Sequence, residues 1–504
     1  MERFILAHDL GTSGNKATLY SMDGNLKASV VEAYETSYGR NGEAEQDPDS
    51  WWQSVCLSTK GLFEKSGVSP SNVECVTFSG QMMGCLPVDS EGMPLRRSMI
   101  WADHRSSTQV RMISDSISMD EFYRITGHRI SESYSAAKLL WVRDNEPGLF
   151  SRMTCMLQAK DYIIYRLTGR FVTDYSDASG TNLFDIRKKD WSGDILRELH
   201  IDRSLLPEAH PSTDTAGGIS SQAAHCLGLK EGTPVIIGGG DGSCAAVGAG
   251  AVCEGRVYNV IGTSSWISRA AKTPFFDQKM RTFNWVSLDP SLYTPCGTMQ
   301  AAGESVRWVK NNLAGEETQR AHEKGESVYH MIDEGVEGTE PGAGSLLFLP
   351  YLLGERSPWW NPKATGAFLG LRVTTTRAQM HRAVLEGVAY NLRIILDLLD
   401  SEGKPSALRM VGGGAKSRVW LQILADVFQR ELVVPRYLEE ATSMGAAVCG
   451  GIGIGAFPDF SVIDRFNPVV GRILPRPETY DIYKKLYGLF LEAYRVLCPI
   501  YEKL

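Results

Sequence analysis

The chain has 504 residues, 43% of them hydrophobic and 22% charged, with a formal net charge of -7. That length exceeds what one compact core accommodates, so two domains are expected, and the mildly acidic balance gives no electrostatic case for nucleic acid or an anionic membrane. No apolar run approaches the ~20 residues that span a bilayer and no signal-peptide pattern opens the chain, so a cytosolic protein with a small-molecule partner is the expectation.

In chain order, the first predicted elements form a β-meander: "RFILAHD", the turn "LGTSGN", "KATLYSM", a second turn at Asp23 and Gly24, then "NLKASVVEAY". Between about residues 80 and 215 lie "SGQMMG", "MIWADHRSS" and several helical stretches, including "MLQAKDYIIYRLTG". A buried strand, three glycines and a helix follow in "PVIIGGGDGSCAAVGAG". The small-residue run "AAVGAGAVCEG" then suits a hinge and sets the expected domain division at 1–252 and 253–504. A second meander begins with "RVYNVIGTSSWISRA", an amphipathic helix is predicted from about Thr376 to Ser401 with Gly403 as its stop, and "LRMVGGGAKSRVWLQILADVF" repeats the strand–glycine–helix pattern. Setting Gly11, Thr12 and Ser13 against Gly262, Thr263 and Ser264 places Asp9 opposite Val260 and Lys16 opposite Ile267, while the glycine triplets place Asp241 opposite Ala415. On that pairing the first half is longer by 77 residues, an insertion expected between 80 and 215.

The ten cysteines and nine histidines are scattered, without CxxC or HExxH spacing, and read as structural residues of a reducing compartment. A Gly-Thr-Ser tip offers consecutive backbone N–H groups and two hydroxyls, with no Cβ at the glycine to block a close approach, which suits phosphate oxygens. Two such tips facing across a cleft grip a polyphosphate from both sides. The acids break the symmetry. Asp9 suits a hard cation beside phosphates, and Asp241 suits a proton acceptor for an attacking hydroxyl. A dinucleotide-binding reading, GxGxxA at Gly240, Gly242 and Ala245, lacks the acid expected about 20 residues on and leaves the repeated tips unexplained.

These residues resemble the FGGY family of carbohydrate kinases, most closely its xylulokinase branch, over nearly the whole chain. The marks are "DLGTSGNK", "EQDPDSWW", "SGQMMG", "KLLWV", "KDYIIYRLTG", "GGGDG", "IGTSSW", "LPYLLGERSPWWNPKATGAFLGL", "RAVLEGVAYNL", "GGGAKSRVWLQILADV" and "ATSMGAAV", in that order. The resemblance implies an α/β fold of two actin-like, ribonuclease-H-like domains, with ATP and Mg²⁺ in the cleft and sugar deeper, held mainly by the first domain. It implies Asp241 as general base, Asp9 holding Mg²⁺ through water, and nucleotide contacts at Gly11, Thr12, Ser13, Lys16, Gly262, Thr263, Ser264, Gly303, Arg307, Gly413, Gly414 and Arg418. Sugar contacts are implied at Gln81, Met82, Met83, Trp101, Asp103 and Asp241. Where this branch has Gln-Met-His-Gly the chain reads "QMMG", so Met83 removes an imidazole partner. "WADHR" stands for the common Trp-Asn-Asp, and Gly242 follows the base where an amide is frequent. The expected activity is phosphorylation of a primary hydroxyl of a ketose or polyol, with D-xylulose itself placed in question and homodimerisation left open. The rival class is an actin-like ATPase that serves as a regulatory protein without a small-molecule acceptor.

Overall fold

The computed structural model describes residues 2–400 and 407–504. In the first domain, β1 (Phe4–Leu10), β2 (Gly14–Ser21) and β3 (Leu26–Ala33) form the meander. Helix α1 (Pro48–Ser66) leads to β4 (Val73–Gly80), and β5 (Thr215–Gly218) and β6 (Pro234–Ile236) complete the sheet in the order β5-β6-β4-β1-β2-β3. β1 runs parallel to β4 and β4 to β6, while the meander pairs and β5 are antiparallel. β1 is a near-continuous apolar run because both of its faces are covered, as parallel strands require. Helix α1 starts where the Asp47 carboxylate caps the Asp49 N–H at 3.0 Å with Pro48 in the first turn, and stops at left-handed Gly67.

The insertion expected after residue 80 is present. It carries a core of its own around Phe122, Leu139, Phe184 and Trp191, and includes α2 (Ala159–Thr168). Helix α3 (Asp241–Gly248) closes the domain. The second domain repeats the plan with β7 (Val257–Ile261), β8 (Ser265–Arg269), β9 (Phe283–Val286), β10 (Tyr293–Met299), β11 (Leu408–Val411), β12 (Leu432–Pro435) and β13 (Val469–Ile473), in the order β9-β10-β8-β7-β11-β12-β13. Four of its helices are α4 (Gly303–Asn312), α5 (Arg377–Leu399), α6 (Arg418–Phe428) and α7 (Ala441–Gly453). The helix predicted from Thr376 is α5, opened by a capping box between Thr376 and Gln379; Ser401 and Gly403 lie outside the described residues.

Sheet order corrects the internal alignment. β7 is parallel to β11 and β11 to β12, so β4 corresponds to β11 and β6 to β12. The "GGGAKS" turn is therefore the counterpart of "SGQMMG", not of "GGGDG". Helix α3 corresponds to α7, and Asp241 faces Ala441 rather than Ala415. The first half is then longer by 51 residues, not 77. Glycine triplets misled because two turns with different duties both need small residues. The hairpin tips differ as well: four residues separate the last paired positions Leu10 and Asn15, but three separate Ile261 and Ser265.

The run expected to be a hinge is partly helical, since Ala245–Gly248 ends α3. Its small residues serve a close crossing with α7. A Cβ on Gly445 would stand 1.9 Å from the Cys244 carbonyl oxygen, and one on Gly248 1.7 Å from that of Ala441. The pair fills the space between the sheets, with Val247, Met444 and Val448 packed on Ile5, Ala7 and Tyr20.

Candidate active site

Two cavities open in the cleft. One, of about 590 Å³, is lined only by the second domain: the tip residues Gly262 and Thr263, Gly303 and Arg307 of α4, Gly413 and Gly414 after β11, and apolar walls from Ile261, Val306, Leu385 and Trp420. The other, of about 510 Å³, lies between the domains and takes Met82, Met83, Trp101, Tyr134, Asp241 and Gly242 from the first. Most of its remaining wall comes from the second domain, including Trp266, Phe283, Trp285, Gln300, Arg356 and Trp360. Thr263 borders both cavities, so they meet at the second tip.

Backbone packing sets the first cavity. A Cβ on Gly303 would lie 2.4 Å from the Gly262 carbonyl oxygen, and the Gly303 N–H donates to that oxygen at 2.9 Å, so α4 begins against the tip. A Cβ on Gly413 would meet nothing nearer than Glu439 Oε1 at 3.9 Å. This leaves bare backbone facing open space, a cradle that fits phosphate oxygens.

In the second cavity, Met83 stands in the left-handed region at φ 66°, and its carbonyl accepts from Lys138 Nζ at 2.8 Å. Lys138 also donates to the Ser133 carbonyl, so one ammonium holds two segments of the wall; burial lowers its pKa to about 7. Trp101 lines the cavity and donates from Nε1 to Thr12 Oγ1 at 2.9 Å, tying that wall to the first tip. On the opposite side, Glu355 is buried, and burial pushes its carboxyl up to about 8. It accepts from the backbone N–H groups of Gln300 and Arg356, both at 2.8 Å, and fixes two cavity-lining residues. The Arg356 guanidinium has no hydrogen-bond or ion-pair partner among the described residues.

Asp241 is the first residue of α3, its Oδ1 accepting from the Gly242 N–H at 2.7 Å. Burial and the negative charge of Asp9 push its pKa up to about 7, against the opposing hydrogen bond from Gly242. Asp9, paired with Lys16 across the ladder, is raised by burial as well. The Ser79 hydroxyl, buried on the strand next to Asp9, partly offsets that rise by hydrogen bonding to the Asp9 carboxyl. Two neighbouring carboxylates and this hydroxyl form a set of hard oxygen donors, which fits a small divalent cation.

The FGGY family of carbohydrate kinases matches as two family models, its N-terminal domain over residues 4–248 and its C-terminal domain over residues 257–454. The chain belongs to the FGGY carbohydrate kinases. It is 32% identical to a xylulose kinase of Bacillus subtilis over 98% of this chain and 97% of that protein, and 30% identical to a gluconokinase of Bacillus licheniformis over 99% and 96%. Among solved structures, ligand-bound xylulose kinase from Lactobacillus acidophilus superposes with a TM-score of 0.92 at 28% identity, covering 99% of each chain. The fold is therefore the actin-like pair of domains, and the protein is an ATP-dependent sugar kinase of the xylulokinase branch; the acceptor-free ATPase reading is not favoured.

Within this kinase the residues singled out from the sequence divide into groups. Met82, Met83, Trp101, Asp241, Thr263 and Ser264 line the interdomain cavity; Gly262, Gly303, Arg307, Gly413 and Gly414 line the other, with Thr263 common to both. Arg418 lines neither, and Lys416 and Ser417 reach the nucleotide-side cavity instead. Asp103 is fully buried away from both cavities, bonded to the Ala44 N–H at 2.8 Å and ion-paired with Arg105. Gln81 donates to Gln46, which donates in turn to the Thr12 carbonyl, so it buttresses the tip. Gly11, Thr12 and Ser13 form the first tip outside both cavities, and Lys16 Nζ crosses to the Glu439 carbonyl at 3.0 Å. Sequence reasoning missed Lys138, Trp285, Gln300 and Arg356. For Lys138 and Arg356 the motifs "KLLWV" and "GERSPWW" were the available signals.

Proposed function

We propose that this kinase transfers the γ-phosphoryl group of ATP to a primary hydroxyl of a xylulose-like ketose or a polyol, with Asp241 as general base. The observation that carries the proposal is the Asp241 carboxylate in the wall of the interdomain cavity, which shares Thr263 with the nucleotide-side cavity; burial and Asp9 push its pKa up to about 7. A base poised near neutral pH is ionised often enough to act and basic enough to take the hydroxyl proton.

Asp9, with Asp241 and Ser79 beside it, would hold Mg²⁺, through water at Asp9. Bound there, the ion supplies neutralisation of phosphate charge, the main demand of phosphoryl transfer. The Gly262–Thr263 backbone and the α4 N-terminus bind and orient the phosphates. Asp241 accepts the proton as the acceptor oxygen bonds to phosphorus and the γ–β bridging oxygen departs with its electron pair. The apolar walls of Met82, Trp101 and Trp285 exclude water that would otherwise compete. In this reading residues 1–252 carry the acids and 253–504 the nucleotide. A cytoplasmic setting is supported by ten free cysteines and by the finding that no described helix is long and apolar enough to cross a membrane.

The acceptor is tested by coupled ADP release across ketopentoses, ketohexoses, tetritols, pentitols, glycerol and aldonates. Saturable turnover of a ketose or polyol supports the proposal. Turnover confined to aldonates, the class of the gluconokinase relatives, replaces the acceptor class, and sugar-independent ADP release overturns the kinase step.

A further inference from the structure

Behind the catalytic carboxylate lies a buried polar network that the proposed mechanism does not use. Asp174 ends a short strand, Val172–Asp174, and its side chain is inaccessible to solvent. Its Oδ1 faces Lys160 Nζ at 3.0 Å, and Lys160, on α2, is equally buried and also contacts Asp161 at 2.6 Å and Asp177 at 3.3 Å. Asp174 Oδ2 accepts three further bonds: from the Ser176 N–H at 2.8 Å, the Ser176 hydroxyl at 2.5 Å and the Ser212 hydroxyl at 2.7 Å. The Ser176 proton is thereby committed to Asp174, and its oxygen lone pairs turn to the Gly240 N–H at 3.0 Å.

Gly240 immediately precedes Asp241. Its short strand, Gly239–Gly240, pairs with Ser79 and Gly80 at the end of β4, and the Gly239 carbonyl accepts from the Cys244 thiol at 3.6 Å. Neighbouring side chains pack closely against this backbone. A Cβ on Gly239 would lie 2.7 Å from Ser176 Oγ, and one on Gly240 2.5 Å from the Met82 sulfur. Both Asp174 oxygens are engaged, Oδ1 by Lys160 and Oδ2 by three donors, and a buried carboxylate held in this way resists rearrangement, which makes Asp174 a fixed anchor.

We propose that Ser176 is a positioning residue for Asp241: anchored by Asp174, its hydroxyl holds the Gly240 N–H and so fixes the backbone from which the base projects. The proposal rests on Asp241 being the base. Misplacement of a reacting group by about 1 Å costs on the order of a hundredfold in rate, so one hydrogen bond at this strand end has a lever on turnover.

The test compares Ser176→Ala with Ser212→Ala. Both remove a hydroxyl from the same Asp174 oxygen in the same buried network, but only Ser176 touches Gly240. The expected result is a kcat about tenfold or more lower in Ser176→Ala, with KM for ATP unchanged, while Ser212→Ala keeps wild-type kcat at a comparable loss of Tm. Equal kcat in the two variants, or a loss that appears only in KM, overturns the proposal. Should Ser176→Ala fail to fold, Ser176→Cys keeps the volume with a weaker acceptor; a folded Cys variant with wild-type kcat overturns it equally. Asp241→Asn measured alongside separates the two readings, because activity retained there removes the base itself, whereas activity lost there and retained in Ser176→Ala removes only the positioning role.

Discussion

The turn after β4 and the turn after β11 occupy the same place in two copies of one sheet plan, yet they present different surfaces to the cleft. The first, Gln81–Met83, places two thioethers in the interdomain cavity and uses its backbone carbonyl to bind Lys138. The second, after β11, presents the glycines Gly413 and Gly414 to the other cavity, together with Lys416. The same division recurs one strand further along, where α3 opens with Asp241 and α7 with Ala441. A duplicated scaffold thus offers two equivalent sets of strand ends, and the chemistry depends on which set keeps side chains and charge. Phosphates are recognised by backbone N–H groups, for which side chains are an obstruction. At the paired strand-end and helix-start positions only the first copy carries carboxylates, Asp9 against Val260 and Asp241 against Ala441.

The largest expected effect comes from erasing that charge asymmetry. Asp241→Asn keeps shape but removes the proton acceptor, and loss of a general base lowers kcat by roughly 10² to 10⁴, while nucleotide binding measured by calorimetry stays intact. Activity within a few-fold of wild type would make Asp241 a structural cap on α3.

A pH profile sharpens the same comparison without a mutation. The raised carboxyl of Asp241, about 7, must be deprotonated to act, so kcat/KM is expected to fall below pH 7, by about tenfold per unit for a single ionisation. Asp9→Asn withdraws the neighbouring negative charge. The Asp241 pKa then falls and the acid limb of the residual activity moves to lower pH; an unmoved limb would mean that the two carboxylates do not interact.

On the nucleotide side the comparison breaks through a single methyl group. Gly303→Ala places a Cβ 2.4 Å from the Gly262 carbonyl oxygen and must push α4 off the tip. Overpacking of this kind costs about 1–3 kcal/mol, so ATP binding is expected to weaken with acceptor binding unchanged. Equal weakening of both ligands would show that the two cavities are not separately built.

The smallest effect concerns which acceptor is used. Met83→His restores a hydrogen-bonding group in the interdomain cavity and should raise kcat/KM for D-xylulose by about tenfold, equivalent to roughly 1.4 kcal/mol, while lowering it for the native acceptor. If the wild type already prefers D-xylulose and the variant gains nothing, Met83 only packs.

The sequence by itself determined the two-domain α/β plan, the repeated tips and the unequal acids, because glycines at close approaches and carboxylates at strand ends are local requirements that leave local marks. Even the correction of Ala415 to Ala441 as the counterpart of Asp241 left that inequality standing. Tertiary structure alone decided how far each marked residue stands from the chemistry. Asp103 and Gln81, which resemble sugar contacts, are drawn into buried hydrogen bonds with Arg105, Ala44 and Gln46. Arg356 and Trp285 reach the interdomain cavity from segments far from its first-domain wall, and Lys138 braces that wall from behind through the Met83 and Ser133 carbonyls. The value near 7 at Asp241 also belongs to this second class, because it arises from burial and from Asp9, a residue 232 positions away that only folding brings within range of its charge.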